Sequence, residues 1–235
     1  PDSRRGPGYL RRWIAGETVG ARLRRLGAEP VPDVLRVLRA VGSAVAYLHD
    51  AGDHHGAVSP DTVYVTPAGR VWVLGWQWTL PSKQLPEGMR PDPRFTPMAP
   101  EWEAGVWAPT QLADQWQLAA TCFAMLTGEL PPRSEVPPIR LVRPDCPANV
   151  AELIDRALAA SPSDRFHSVA SLLRALDKLP KVGRERAAEE MVKEAGVTAE
   201  QAGAVLDLAE TTGPNEDVLA RAESLMAPSA ELRQA

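Results

Sequence analysis

The chain has 235 residues, 44% hydrophobic and 24% charged, which is room for one sizeable domain with an appendage. A formal charge of −4 gives no basis for non-specific attraction to nucleic acid or an anionic membrane, and no run of about 18 apolar residues marks a membrane span. The opening PDSRRGPG lacks the apolar core of a signal peptide, and Cys122 and Cys146 have no metal-ligand spacing, so free thiols in a reducing cytoplasm are expected.

In chain order, GYLRRWIAGETVGARLRRLG reads as a short strand through Trp13, a turn at Gly16 and a basic helix ending at Gly27. Val34, Leu38, Val41, Val45 and Leu48 recur at spacings of four and three, which predicts an amphipathic helix opened by Pro30 and Pro32 and closed by Gly52. TVYVT and RVWVL are β-branched and aromatic runs separated by Pro67-Ala68-Gly69, the pattern of a small hairpin. A proline-rich stretch without period follows from Gln77 to Pro100. Leu112 to Leu126 is apolar nearly all round and stops at Gly128, as a central buried helix does. Another proline-rich stretch, 129–148, precedes two amphipathic helices at Val150–Ala159 and Ser168–Leu176. Past Pro180 the stripes are thin and alanine-rich, and Thr198 with Gln201 forms a capping-box pattern, so residues 181–235 read as a separate helical extension. The expected architecture is mainly α with one hairpin.

The order of these elements, with their local motifs, resembles the large C-terminal lobe of the eukaryotic-type protein kinase fold in its bacterial Ser/Thr branch. The likeness runs from about residue 9 to 179. YLRRWIAGETVGARL is similar to the last small-lobe strand (here about 9–14), the hinge and the first large-lobe helix. VGSAVAYLHDAGDHHG resembles the long helix entering the catalytic loop, and MAPEW the end of the activation segment. LADQWQLAATCFAMLTGELPP resembles the central helix beginning Asp-x-Trp, and ELIDRALAASPSDRF the closing helical pair with its Pro-x-x-Arg turn.

The resemblance implies a catalytic loop reading His-Arg-Asp, then Lys and Asn. Here His55 stands at the His position, Gly56 at the Arg, Ala57 at the Asp, Ser59 at the Lys and Thr62 at the Asn. The Asp would take the proton of the attacking hydroxyl and the Asn would hold Mg²⁺. A methyl group does neither. Gly75-Trp76-Gln77 stands where Asp-Phe-Gly would follow the hairpin, so the second Mg²⁺ carboxylate is also replaced. Loss of a general base alone costs about 10²–10⁴ in rate, and loss of the metal ligands removes the electrostatic clamp on the phosphates.

Only eight residues precede Tyr9, so no Gly-rich loop, strand lysine or helix glutamate is expected, and the chain, lacking an initial Met, reads as a processed or excised piece. By the resemblance, Tyr64 would lie beneath adenine, and Trp72, Leu74, Trp76 and Trp78 share one parity beside it. A filled pocket occluded by Tyr64, Trp72 and Trp76 is expected, with no cofactor. Four positions carry the family's structural roles instead. Glu101 and Arg165 would form a buried ion pair tying the activation segment to the closing helices, and Asp114 would accept backbone hydrogen bonds near His55.

Other signals have plainer readings. His49, His54 and His55 with Asp50 and Asp53 suggest a metal site, but His49 ends a helix and His55 has a framework role, so no metal is expected. Thr79, Ser82 and Thr96 near Arg90 or Arg94 read as loop hydroxyls, Arg22, Arg24 and Arg25 as a solvated helix face, and Trp102 and Trp107 as packing residues. The function expected is a catalytically inactive pseudokinase serving as a protein-binding, scaffolding or regulatory module. A bare large lobe exposes apolar surface around Tyr64, Trp72 and Trp76, which the tail helices after Pro180, a second copy of the chain or an active kinase would cover. The alternative is a nucleotide-binding enzyme with displaced phosphoryl or nucleotidyl transfer through Asp53 or Asp61.

Overall fold

A computed structural model describes residues 15–75, 96–103, 110–132 and 135–179. Tyr9, Trp13, Trp76, Trp78, Thr79, Ser82, Arg90, Arg94, Trp107 and the expected extension 181–235 lie outside them.

The core is organised by four helices. α2 (Val31–Asp50) opens at Pro30, whose extended backbone places Pro32 in the first turn, where its missing N–H costs nothing. Its stripe of Val34, Val37, Leu38, Val41 and Val45 is buried. α4 (Gln111–Thr127) begins where the Thr110 hydroxyl accepts the Ala113 N–H at 3.0 Å and stops at Gly128, which has φ 91°. Every residue from Ala113 to Leu126 is buried, so apolar character all round the helix has its physical reason: α2, α6 (Ala148–Ala157) and α7 (Val169–Asp177) cover it from different sides. α2 approaches α4 and α7 at Gly42, where an added Cβ would lie 2.9 Å from Leu173 Cδ2 and 3.5 Å from Leu118 Cδ2.

A small antiparallel sheet sits beside α2, in the order β1 (Glu17–Thr18), β2 (Val63–Val65), β3 (Val71–Val73). Val63 pairs with Val73 and Tyr64 with Trp72, while Thr18 pairs with Tyr64 from the other side. Alternation puts Val63, Val65 and Val73 into the core and Tyr64 and Trp72 on the opposite face, where Trp72 is 45% exposed. The strand at Glu17–Thr18 is an addition to the expected hairpin. Thr18 ends it and caps α1 (Val19–Leu26) by accepting the Ala21 N–H at 3.0 Å.

Gly16 makes that third strand possible. It has φ 144°, and a Cβ there would press on the Val65 carbonyl and lie 2.8 Å from the Tyr64 ring. Gly16→Ala combines a conformation that side chains avoid with a clash against backbone, and is expected to cost about 2 kcal/mol. The measurement is urea denaturation followed by tryptophan fluorescence, with Gly42→Ala as a milder comparison because only side-chain ends must yield there.

Two further findings correct the sequence reading. The proline-rich stretch 129–148 contains a one-turn helix, α5 (Ile139–Val142), whose first N–H donates to Asp155 at 3.0 Å. Arg22 is not solvated: it pairs at 2.9 Å with Glu29, which is buried, whereas Arg24 and Arg25 are exposed. Burial pushes the Glu29 carboxyl up, and Arg22 opposes that shift. The segment is pinned to the end of α4 by Glu29 N–H to Met125 O at 2.6 Å and by Arg143, whose guanidinium donates to the carbonyls of Glu29 and Leu126.

Both cysteines are free and buried. Burial in the middle of α4 pushes the Cys122 thiol up to about 12. At pH 8 the native protein is expected to resist a thiol reagent, with Cys146, in the turn before α6, labelling before Cys122. Rapid native labelling of Cys122 would contradict this packing. Among the described residues no helix is long and apolar enough to cross a membrane.

Candidate functional site

The loop from His54 to Thr62 joins α2 to the sheet, and α4 holds it from below. Asp114, fully buried in the first turn of α4, accepts the N–H groups of His55 and Gly56, each at 2.7 Å, and the Nε2–H of His49 at 2.8 Å. Gly56 has φ 70°, which bends the loop around that carboxylate. One turn later, Gln117 accepts the Val58 N–H at 3.1 Å and donates to the Pro97 carbonyl at 2.9 Å, tying the loop to the segment before Glu101. Sequence reasoning missed Gln117 and the His49 bond. The available signal was the polar cluster Asp114, Gln115 and Gln117 inside a largely apolar helix.

His55 is the loop's buried centre. Its Nδ1 accepts the Ala57 N–H at 3.2 Å, so the ring proton sits on Nε2 and donates to the Leu74 carbonyl at 3.0 Å. This neutral form joins the loop to the exit of β3. Burial pushes the His55 pKa down, with Asp114 pulling the other way.

The positions that would carry chemistry are turned inward. Ala57 is 2% exposed and offers only a methyl group. The Thr62 hydroxyl reaches back to the Ala57 and Ser59 carbonyls at 2.9 and 3.1 Å and accepts the Ser59 N–H at 2.9 Å. Ser59 is buried beside it, with its hydroxyl 3.3 Å from that of Thr62. Thr62 therefore closes the turn on itself. Gly75 follows β3 with φ 90° and has no side chain to present.

The remaining acids do not converge on Ala57 and Thr62. Asp61 lies against Gly20 and 3.6 Å from Arg24 at the surface, and Asp53 is exposed after α2. Among the described residues no group of three or more His, Cys, Asp or Glu could hold a metal ion.

On the other side of α4, Arg165 is fully buried and grips Glu101 with two bonds of 2.9 and 2.7 Å. The same guanidinium donates to the carbonyls of Ala159, Leu112 and Ala160. Glu101 stands on the one-turn helix α3 (Pro100–Glu103), beside the buried Trp102, while Thr96 is buried upstream.

No family model matches the chain. Serine/threonine-protein kinase PknI of Mycobacterium tuberculosis is 32% identical over 157 residues, covering 63% of this chain and 25% of that protein. The crystal structure of the Mycobacterium tuberculosis PknI kinase domain aligns with a TM-score of 0.57 at 28% identity, over 71% of this chain and 62% of that one. The chain has a protein-kinase-like fold. PknE of Mycobacterium tuberculosis is 27% identical to this kinase-like chain over 169 residues, 66% of this chain and 30% of that protein. Rad53 1–466 in complex with AMP-PNP shares the fold at a TM-score of 0.54 and 19% identity. The kinase-like chain spans between a quarter and a third of the length of these curated kinases. Over 49 residues the chain is also 65% identical to part of Histidine--tRNA ligase of Rhodopirellula baltica, 21% of this chain and 11% of that protein.

Proposed function

We propose that this chain is a catalytically silent, kinase-like large lobe that acts in the cytoplasm as a protein-binding or regulatory module. The observation that carries the reading is the closed loop. At the base position stands buried Ala57, and the hydroxyl at the Asn position, Thr62, spends its hydrogen bonds on the loop's own backbone. Gly75, at the position of the second metal ligand, has no side chain to offer. Phosphoryl transfer depends on a positioned base and an Mg²⁺ clamp, and none of these three residues supplies either. The framework residues Asp114, His55, Glu101 and Arg165 remain bonded, which preserves the surface of the lobe without its chemistry. Tyr64 and Trp72, paired on the outward face of the sheet, fit an adenine space filled by side chains. An active kinase or a second copy of the chain is the partner this reading favours.

The test is incubation of the chain with Mg-ATP and a generic acceptor, read by intact mass. No added phosphate on either protein is the expected result. Transfer that Asp61→Asn or Asp53→Asn abolishes would instead establish displaced chemistry.

A further inference from the structure

We propose that His49 and His54 form a two-imidazole site for a borderline divalent transition-metal ion of the zinc, copper or nickel class, backed by Asp114. The turn after α2 brings the rings together: Gly52 N–H donates to His49 O at 3.0 Å, Asp53 N–H to Leu48 O at 3.2 Å, and Gly52 has φ 85°. The chain reverses, and the two ring centroids lie 5.7 Å apart at 49°. Metal–nitrogen bonds of about 2.0–2.1 Å, extended by the ring radii, place two imidazoles on one ion with centroids about 5–6.5 Å apart.

The protonation pattern of His49 suits a ligand. Its Nε2–H is committed to Asp114 at 2.8 Å, so Nδ1 carries the lone pair. That Nδ1 is buried with no hydrogen-bond partner, on a side chain only 4% exposed. A carboxylate accepting the second ring N–H is the arrangement that orients a metal-binding imidazole and raises its basicity. His54 is half-buried, and its ring lies beside that of His49.

The sequence weighed against a metal because His49 ends a helix and His55 serves the framework. The structure separates the two histidines: both nitrogens of His55 are engaged, but His49 Nδ1 is not. Imidazole ligands select zinc, copper and nickel over magnesium or calcium. Since no third His, Cys, Asp or Glu joins the pair among the described residues, water completes the coordination and affinity is modest. An ion there fixes the ring of His49, and through Asp114 the backbone of His55 and Gly56.

The experiment titrates the untagged full chain with Zn²⁺ by calorimetry and with Ni²⁺ by NMR. Saturable binding of about one Zn²⁺ per chain is expected, lost at least tenfold in His54→Ala and retained in His167→Ala. Ni²⁺ broadens the ring signals of His49 and His54 in the unaltered chain before that of His167, a readout that needs no variant to fold. No saturable Zn²⁺ binding up to about 1 mM, equal affinity in His54→Ala, or broadening centred on His167 would overturn the site.

Discussion

Asp114→Ala is expected to destabilise the protein by on the order of 4 kcal/mol and to loosen the loop at residues 55–58. The carboxylate accepts three hydrogen bonds in a fully buried place, and two of the donors are buried backbone N–H groups. Leaving a buried donor unsatisfied costs about 1–3 kcal/mol each, against a total stability of about 5–15 kcal/mol for a domain. Asp114→Asn keeps the shape and one acceptor oxygen but turns an NH₂ toward a donor, so an intermediate loss is expected. Urea denaturation measures the stability change, and hydrogen exchange at the His55 and Gly56 amides measures the loop. An Asp114→Ala protein as stable as the parent would show that the loop has other supports.

Arg165→Ala should be comparably damaging, and asymmetric with its partner. Arg165 is fully buried, forks onto Glu101 and also satisfies three carbonyls, so its removal strands four acceptor groups and leaves a cavity. Breaking such a pair typically costs about 3–5 kcal/mol. Glu101 is 24% exposed, so Glu101→Gln is expected to cost only about 1–2 kcal/mol, because solvent reaches the site and the guanidinium keeps its backbone acceptors. Arg165→Lys cannot reproduce the planar fork and should resemble the alanine variant more than the parent. A double-mutant cycle of the two positions, read by urea denaturation, separates the pair from the carbonyl contacts.

The large helices were legible because their burial follows their period. α2, α6 and α7 each show one apolar stripe, and α4 is largely apolar all round because it is covered on every side, with Asp114, Gln115, Gln117 and Thr121 as its buried polar residues. The third strand was not legible, since Glu17–Thr18 is too short for a period and exists only because Gly16 lets the chain lie against β2. That Ala57, Ser59, Thr62 and Gly75 stand at the family's chemical positions is what the resemblance implies, residue by residue. What Thr62 does instead could not, because its bonds to Ala57 and Ser59 arise only when the turn closes. The same holds for His49, whose partner Asp114 is 65 residues away in sequence, and for Arg22, which meets a buried Glu29 rather than water.

The central claim is that the loop no longer supports metal-assisted nucleotide chemistry, and calorimetric titration of the full chain with ATP, with and without Mg²⁺, tests it most directly. The account predicts no Mg²⁺-dependent binding. Saturable binding of Mg-ATP tighter than about 1 mM, weakened by removing Mg²⁺, would contradict it.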